Sequence, residues 1–408
     1  METIKTTCCV AGGGPAGMML GLLLARAGVD VVVLEKHADF LRDFRGDTIH
    51  PSTLEIMYEL SLLDEFLKLP HQEARTLQAQ VGDTVLTIAD FTHLPTHAKF
   101  LAVMPQWDFL NFLAAEAARY ANFTLRMRTS ATGLIEENGR VVGIAATTPE
   151  GAMEIRADLV VGADGRQSTI RAAAHLEVET LGAPMDVLWF RLSRRPSDST
   201  ETGGRFDAGQ IFVMINRGEH WQCAYVIAKG SIDKVRERGL PAFRAGVAAL
   251  MPFVADRVDE IASWDDVKLL TVAVDRLTRW YRPGLLCIGD AAHAMSPIGG
   301  VGVNLAVQDA VAAANLLAAP LREKRLSDAD LERVQKRRML ATRIVQGMQV
   351  LMQNRVISPL LGRAAKVTAP LPLRLFQRFP VLRRIPARLV GLGVRPEHVK
   401  TKAVAVRR

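Results

Sequence analysis

The sequence lacks the residue patterns that several kinds of site require. Its four cysteines, at positions 8, 9, 223 and 287, show no metal-ligand spacing and form no C-x-x-C or C-x-x-x-x-C pair. This excludes a metal site or a dithiol redox centre built from neighbouring cysteines. Three of them lie in apolar, strand-like runs, so we expect buried, reduced thiols in a cytoplasmic protein. No nucleophilic triad or metal cluster is visible, and no metal is predicted.

Long apolar runs are also missing near the start of the chain. Arg26 and Asp30 interrupt the best candidate, which leaves no stretch of about 18 apolar residues, so we expect no transmembrane helix. The first strand begins within a few residues of Met1, so we expect no secretory signal.

Acidic residues are scarce at the other end of the chain. The net charge is +8, and residues 355–408 carry 13 lysines and arginines against one acid, Glu397. The remaining residues carry 38 basic against 42 acidic side chains, so the basic balance does not indicate a nucleic-acid partner. Short apolar-basic pieces of this tail, such as 371–379, leave two alternatives open. The tail contacts an anionic membrane surface from the cytoplasmic side, or it packs on the body or on a partner subunit.

A glycine loop near the start is the first informative feature. Gly12, Gly14 and Gly17 form G-x-G-x-x-G between an apolar strand and a helix predicted over residues 15–27. A second strand follows and ends in Glu35, at the distance where an acid can bind a ribose. The loop therefore predicts a dinucleotide site, with phosphates at the helix N-terminus.

Two later segments also place polar residues at strand ends. The apolar strand 158–161 runs into Gly162-Ala163-Asp164-Gly165, where Asp164 either contacts a ligand or caps the following helix. The strand 284–288 runs into Gly289-Asp290 and then into the glycine loop 299–304 before another helix. Asp290 is a candidate partner for a polyol hydroxyl, and the helix N-terminus favours negative charge nearby. His293 is interpreted as a structural histidine rather than a general base.

Alternating apolar and polar residues over 181–227 predict an antiparallel sheet that forms a second layer. The chain has 408 residues, which is long enough for two domains. We expect an α/β fold with a Rossmann-like, parallel-sheet domain at 1–180 and 265–354. An antiparallel-sheet substrate domain follows at 181–264, and a helical or irregular extension at 355–408. The candidate pocket residues of the sheet are Trp189, Arg191, Phe212, Met214 and Tyr225.

The three glycine-containing segments, in this order, resemble those of the flavin-dependent monooxygenases of the p-hydroxybenzoate hydroxylase type. That family carries G-x-G-x-x-G, a D-G segment and G-D-A-A-H-x-x-x-P with a glycine loop, and the match spans roughly residues 5–320. The resemblance implies FAD as cofactor and NADH or NADPH as co-substrate. It also implies a reaction in which a flavin hydroperoxide hydroxylates an aromatic, polycyclic or lipophilic small molecule.

The resemblance also implies roles for individual residues. Glu35 binds the adenosine ribose, Arg45 lies beside the flavin and pyrophosphate, and Gln106 and Asp290 contact the ribityl chain. Asp164 affects the binding of both FAD and the reduced nicotinamide. Pro297 and the loop 299–304 run along the isoalloxazine ring. Arg45 and Pro297 are the catalytic candidates, with no acid or base assigned. The implied cofactor-binding residues are Gly12, Gly14, Pro15, Ala16, Gly17, Glu35, Lys36, Arg45, Gln106, Asp164, Asp290, Pro297, Gly299, Gly300, Gly302, Val303 and Asn304.

Other flavoprotein classes fit the sequence less well. It has one G-x-G-x-x-G, no redox-active cysteine pair and no W-x-W-x-I-P halogenase signature. A reductase of the same fold acting on a polyprenyl-like substrate, and a non-catalytic flavin- or lipid-binding protein at a membrane, remain alternatives. The sequence does not distinguish NADH from NADPH, or a monomer from a dimer.

Overall fold

The computed structural model describes residues 2–40, 48–198, 202–207, 209–361 and 371–404. The strands of this part of the chain are β1 (Glu2–Ala11), β2 (Val31–Leu34), β3 (Thr48–Ile49), β4 (Gln72–Ala74), β5 (Thr76–Val81), β6 (Thr84–Asp90), β7 (Leu101–Val103), β8 (Phe123–Arg126), β9 (Ser130–Glu137), β10 (Arg140–Thr148), β11 (Gly151–Gly162), β12 (Val178–Thr180), β13 (Met185–Ser193), β14 (Gly203–Asp207), β15 (Gln210–Asn216), β16 (His220–Ala228), β17 (Lys268–Leu270), β18 (Asp275–Leu277), β19 (Tyr281–Arg282), β20 (Leu285–Cys287) and β21 (His293–Ala294). The α-helices are α1 (Pro15–Arg26), α2 (Pro51–Glu59), α3 (Leu63–Phe66), α4 (Gln106–Ala117), α5 (Thr169–Ala173), α6 (Ile232–Glu237), α7 (Leu240–Leu250), α8 (Val301–Arg322), α9 (Asp328–Met352), α10 (Ser358–Leu361), α11 (Leu371–Arg378) and α12 (Arg384–Gly391).

The first sheet has the predicted parallel centre. Its order is β19-β20-β11-β1-β2-β8, with the hairpin of β9 and β10 attached to β11. The strands from β20 to β8 in this order pair in parallel. The inner strands have apolar residues at their carboxyl ends. These residues are buried, with α1 packed against the sheet, as is typical of parallel sheets. Cys8, Cys9 and Cys287 lie in these strands and are buried and unpaired, as expected.

The second sheet has the order β17-β13-β16-β15-β14-β5-β6 and is antiparallel except where β14 pairs with β5. Two of its strands come from residues 76–90, which the sequence analysis assigned to the parallel-sheet domain. A third, β17, lies just past the boundary predicted at residue 264. The sheet therefore extends beyond residues 181–264, because the pairing of β5 with β14 joins residues more than 100 positions apart, which no local pattern reveals. The domain boundaries themselves stay predictions.

Helix α8 is the longest apolar element of the core. The stretch Ile298–Arg322 is long and apolar enough to cross a membrane, but 72% of its most apolar window is buried inside the protein, as in a core helix. It packs against α1 on one side and α9 on another. This arrangement brings the two glycine-loop helices side by side.

The C-terminal region turns back onto the body. The carbonyl of Val390 accepts from His50 Nδ1 at 2.7 Å, and the backbone of Val404 donates to Arg26 at 2.9 Å. We call residues 392–404 the C-terminal segment. In this segment the backbone N–H of Lys400 donates to Asn315 Oδ1 of α8 at 2.8 Å. Packing on the body, one of the two alternatives, therefore describes this part of the tail.

Candidate active site

The three motifs meet at one edge of the parallel sheet. Ala11 pairs with Gly162, and Gly162 pairs with Cys287, so the last residues of β1, β11 and β20 lie side by side. The glycine loop, the D-G segment and the G-D segment each follow directly. Ligands of open α/β sheets bind at this carboxyl edge, so the pairing places the predicted residues where such a site is expected.

Close backbone contacts explain two of the loop glycines. A Cβ built on Gly12 would lie 2.3 Å from the carbonyl oxygen of Ala163, and Gly12 has a φ of +108°. A Cβ on Gly17 would lie 1.9 Å from the carbonyl oxygen of Gly12. Gly12 therefore allows the first loop to touch the D-G segment, and Gly17 allows α1 to pack on the loop.

Gly289 joins the first motif to the third. A Cβ built on it would lie 3.1 Å from Ala16 Cβ and 3.2 Å from Ala306 Cβ. The N-terminal turns of α1 and α8 therefore converge on this one residue. The N-cap residues of the two helices are Gly14 and Gly300. Glycine has no side chain that could accept a hydrogen bond from the N–H groups of the first helical turn, so neither N-cap residue satisfies these groups. Two helix N-termini facing one region favour an anionic ligand there.

Gly14 and Glu35 border this region. Among the described residues, no atom beyond the chain neighbours of Gly14 lies within 4 Å of a Cβ built on it. The Glu35 carboxylate at the end of β2 accepts from Gly13 N at 3.2 Å and from His37 N at 2.9 Å. The carboxylate is thus fixed beside the glycine loop, and the space next to Gly14 is open to a phosphate.

The two aspartates of the later motifs differ in their partners. Asp164 Oδ1 accepts from Ser168 Oγ, and Asp164 Oδ2 accepts from Ile170 N at 3.1 Å. This is the helix-capping alternative, and it anchors α5. Asp290 Oδ2 lies 3.9 Å from Arg166 Nη2, with both side chains about one-third exposed at the edge. Contact of either aspartate with a cofactor stays a prediction.

The loop before α8 is held from two sides. Gly299 and Gly300 have φ values of +76° and +62°, which glycine adopts without strain. Thr48 of β3 approaches closely enough that a Cβ on Gly300 would lie 2.5 Å from its Oγ1. On the other side Gln349 of α9 accepts from Ser296 N at 3.1 Å and donates to the carbonyls of Ser296 and Ile298 at 2.9 and 3.1 Å.

Asn304 does not face the open site. It is 4% exposed, and its Oδ1 accepts from Ser52 Oγ at 2.7 Å and from Thr53 Oγ1 at 2.8 Å. These bonds tie α8 to the first turn of α2. The side chain therefore joins two helices, and the predicted contact of Asn304 with the cofactor stays a prediction for the loop as a whole.

A buried charge network supports the third motif from behind. Asp309 Oδ2 accepts from Gly289 N at 3.1 Å and lies 2.6 Å from His293 Nε2, while Asp309 Oδ1 accepts from Arg338 Nε at 2.9 Å. Burial alone would raise the pKa of Asp309, but His293 and Arg338 hold it below its ordinary value. His293 is 1% exposed, which agrees with its interpretation as a structural histidine.

A cavity of about 250 Å³ opens beside the loop. One wall comes from the segments around β4 and the start of α4, with His71, Val103, Trp107 and Asp108. Val103 pairs with Thr48, the residue that touches Gly300. The cavity is therefore one strand pairing away from the loop at the N-terminus of α8.

The opposite wall is the second sheet. It presents Arg191, Arg217, His220 and Gln222, of which Arg191 is exposed at the mouth and Gln222 is buried. Trp189, two residues before Arg191 on the same face of β13, packs in a cluster with Ile298 of the loop. This face of the sheet therefore packs near Ile298, directly before the glycine loop of the third motif.

Three of the five pocket candidates lie on the other face. Phe212, Met214 and Tyr225 pack with Phe243 and Val247 of α7 in a separate cluster. They alternate with the residues that face the loop, because successive side chains of a strand point to opposite sides. Their assignment to the pocket is corrected, because their side chains pack against α7. Trp189 and Arg191 lie on the other face, and their contact with a substrate stays a prediction.

Comparison with known proteins identifies the family. The family model described as FAD binding domain matches residues 5–348. The chain is 33% identical over 388 residues to 6-methylpretetramide 4-monooxygenase of Streptomyces rimosus, which covers 94% of this chain and 92% of that protein. The chain belongs to the FAD binding domain family and is a flavin-dependent monooxygenase.

More distant relatives of this monooxygenase agree. The chain is 29% identical over 313 residues to rifampicin monooxygenase of Streptomyces venezuelae, and the match covers 74% of this chain and 61% of that protein. The chain spans 60–64% of the length of several other curated relatives, among them a dialkyldecalin synthase of Streptomyces rugosporus. The crystal structure of p-nitrophenol 4-monooxygenase from Pseudomonas putida DLL-E4 superimposes with a TM-score of 0.77 at 20% identity, covering 97% of this chain and 100% of that one, which shows the same fold.

The edge described above fits FAD. Gly14 and the N-terminus of α1 suit the pyrophosphate, Glu35 suits a ribose, and the N-terminus of α8 suits a ring that carries negative charge when reduced. FAD, once bound and reduced by NADH or NADPH, activates oxygen for transfer to an aromatic substrate.

Other site predictions stand as follows. Arg45 lies outside the described residues. Lys36 is exposed after β2, and Gln106 is half-buried as the first residue of α4, between cavity-lining residues. Pro297 precedes the turn that leads into Gly299 and Gly300. Their contacts with the cofactor, like those of Gly302 and Val303, stay predictions.

Sequence reasoning missed several residues of this region. Thr48 and Gln349, which hold the loop, and Arg217, His220 and Trp107, which line the cavity, have no motif of their own. Side chains alternate between the two faces of the sheet along β13 and β16. If one residue were known to point toward the loop, this alternation would have identified the other residues on the cavity face.

Proposed function

We propose that this monooxygenase hydroxylates a fused polycyclic polyphenol of the kind that 6-methylpretetramide represents. The observation that carries the proposal is the 33% identity that spans 92% of 6-methylpretetramide 4-monooxygenase. Other relatives with related names act on anhydrotetracycline, which is also a four-ring aromatic compound. These names support a flat, oxygen-rich ring system as the substrate that we propose for this chain.

The geometry supports a substrate between the second sheet and the loop before α8. Trp189, which is partly buried on that face of the sheet, offers an aromatic side chain against which the rings of a substrate can pack. The N-terminus of α8 stabilises negative charge at the loop, and packing of the sheet against the loop restricts access of water. The chain's own residues thus supply position and electrostatics.

The test is substrate-stimulated turnover. Purified protein loaded with FAD is mixed with NADH or NADPH and a panel of anthraquinones, tetracyclic polyphenols, simple phenols and quinolones. We expect fused polyphenols to accelerate NAD(P)H oxidation and oxygen uptake, with a product heavier by one oxygen atom. Stimulation by simple phenols alone would contradict the polycyclic assignment. Product formation without oxygen would instead support the reductase alternative.

We also infer that the exposed part of the tail contacts an anionic lipid surface from the cytoplasm. Leu375, Phe379, Val381 and Ile385 are 44–65% exposed and lie among five arginines between residues 374 and 388. Such a basic amphipathic surface favours anionic lipid. Phe379→Ser with Ile385→Ser should reduce co-sedimentation with phosphatidylglycerol vesicles, leaving the C-terminal segment intact. Equal sedimentation of variant and parent would rule out this contact.

A further inference from the structure

The loop before α8 has three consecutive backbone carbonyls that accept hydrogen bonds from the protein itself. Gln349 Nε2 donates to the carbonyl of Ser296 at 2.9 Å and to that of Ile298 at 3.1 Å. Between these two residues, the carbonyl of Pro297 accepts from Gly300 N at 3.0 Å. Two of the three carbonyls are therefore directed toward α9 by one side chain.

The amide of Gln349 is a fixed partner of the loop. The residue is 4% exposed, and its Oε1 also accepts from Ser296 N at 3.1 Å. The amide thus pairs with both backbone polar groups of Ser296, much as a neighbouring strand would. Turning any of these groups away would leave a buried donor or acceptor without a partner, which costs free energy. Gln349 therefore holds the direction of these peptide groups.

The direction of these carbonyls affects the charge that the loop presents to a ligand. A peptide group is a dipole whose oxygen end repels negative charge and whose N–H end attracts it. The first-turn N–H groups of α8 receive no side-chain cap from Gly300, so they can stabilise an electron-rich ring. If Gln349 did not bind the carbonyls of Ser296 and Ile298, these oxygens would be free to turn toward the same ring and oppose the N–H groups.

We propose that Gln349 is a positioning residue for the cofactor. It holds the carbonyls of Ser296 and Ile298 toward α9 rather than toward the flavin ring, and so favours the reduced, negatively charged form of bound FAD over the oxidised form. The side chain acts through the loop. The inference requires FAD, the cofactor of the family, and does not depend on the ring system that we propose for the substrate.

The reduction potential of bound FAD tests this role in the full-length, FAD-loaded protein, by equilibration with a reference dye without substrate or oxygen. Gln349→Met keeps a long side chain on α9 and removes the three hydrogen bonds. We expect the affinity for reduced FAD to fall about tenfold relative to that for oxidised FAD, the scale of one hydrogen bond to a charged group. For a two-electron couple this ratio makes the potential about 30 mV more negative.

Gln346, one turn earlier on α9, offers a matched control. It is also buried and makes three hydrogen bonds. Its Nε2 donates to the carbonyls of Asp275 and Ala294 at 2.7 and 3.0 Å, and its Oε1 accepts from Arg276 Nη1 at 3.3 Å. These partners belong to β18 and β21, not to the loop. Gln346→Met should therefore lower stability as Gln349→Met does but leave the potential unchanged.

Thr48→Val tests the loop from its other side with little change in shape. Thr48 Oγ1 donates to the carbonyl of Gly300 at 3.5 Å, and removing this long, weak bond should lower the relative affinity for reduced FAD about twofold. An unchanged potential in folded Gln349→Met, or an equal shift in Gln346→Met, would overturn the inference. If Gln349→Met does not fold, Thr48→Val decides, and an unchanged potential there would overturn it too.

Discussion

One added methyl group separates the roles of Gly12 and Gly14. In Gly12→Ala the new Cβ meets the backbone of Ala163 at 2.3 Å, and the residue must keep a φ of +108°. We expect the free energy of unfolding to fall by at least about 1–3 kcal/mol. In Gly14→Ala the Cβ enters open space at a φ of −74°, so stability without FAD should not change.

The two variants are distinguished by measuring stability and cofactor affinity separately. Gly14→Ala should weaken FAD binding at least tenfold, because the methyl group occupies the space that we assign to the pyrophosphate. Thermal unfolding of the cofactor-free proteins and fluorescence titration with FAD provide the two values. An unchanged FAD affinity in Gly14→Ala would place the pyrophosphate elsewhere.

Asp309 gives a prediction about acid. Its pKa is held below the ordinary value by His293 and Arg338 despite burial, so it contributes stability above the unfolded pKa of about 3.9. This contribution is lost as the pH falls through the lower, folded value. Asp309→Asn leaves Arg338, which is 1% exposed, without this partner and should cost about 3–5 kcal/mol at pH 7.

The measurement is urea unfolding at pH 7 and at about pH 2, well below the unfolded pKa of about 3.9. The difference between the parent protein and Asp309→Asn should shrink at the lower pH, because the parent loses the contribution that the variant never had. Asp265→Asn, at an exposed position, serves as the control and should match the parent at both values. A difference that stays constant between the two pH values would contradict the assignment.

At the scale of the element, strand β13 carries two surfaces with different purposes. Trp189 faces the loop with Ile298, and its neighbour Phe190 packs under α7 with Phe212. Trp189→Leu should therefore raise the fraction of NAD(P)H oxidation that ends as hydrogen peroxide, because water reaches the flavin side more easily. Phe212→Leu should lower the free energy of unfolding by about 1–3 kcal/mol and leave that fraction unchanged.

Peroxide yield per NAD(P)H, measured with a stimulating substrate, and chemical unfolding test this pair together. Similar peroxide yields in the two variants would mean that the face assignment fails. The sequence predicted the strands around these residues because their alternation is local. It did not predict which face is which, since that depends on α7 and the loop, which lie outside the strand.

The same distinction applies to the motifs. The glycine loop, the strand-end aspartates and the N-terminus of α8 were predictable because each needs a residue type at a fixed local spacing. That Gly12 touches Ala163 and that Gly289 touches Ala16 follows only from strand order. The pairing β20-β11-β1 brings together segments that are more than 100 residues apart in the chain.

At the scale of the whole molecule, the one acid of the basic tail is among the residues that join the tail to the body. Glu397 is 5% exposed, and its carboxylate accepts from Arg337 at 2.6 and 3.1 Å, with Arg338 at 3.5 Å. Arg338 in turn binds Asp309, whose other oxygen accepts from Gly289 of the G-D motif. A continuous chain of polar contacts thus links the C-terminal segment to the cofactor edge.

Glu397→Gln should therefore act at a distance. We expect it to lower the free energy of unfolding by about 1–3 kcal/mol, because it removes the buried carboxylate that pairs with Arg337 and lies near Arg338. It should also weaken FAD binding, since Gly289 and the N-terminus of α8 lose support. Glu323→Gln is the matched control, because Glu323 pairs with Arg325 at the surface with both side chains about half-exposed. Calorimetric FAD titration and urea unfolding of both variants give the result. If Glu397→Gln destabilises the protein but leaves FAD affinity unchanged, the segment holds the fold together without supporting the site.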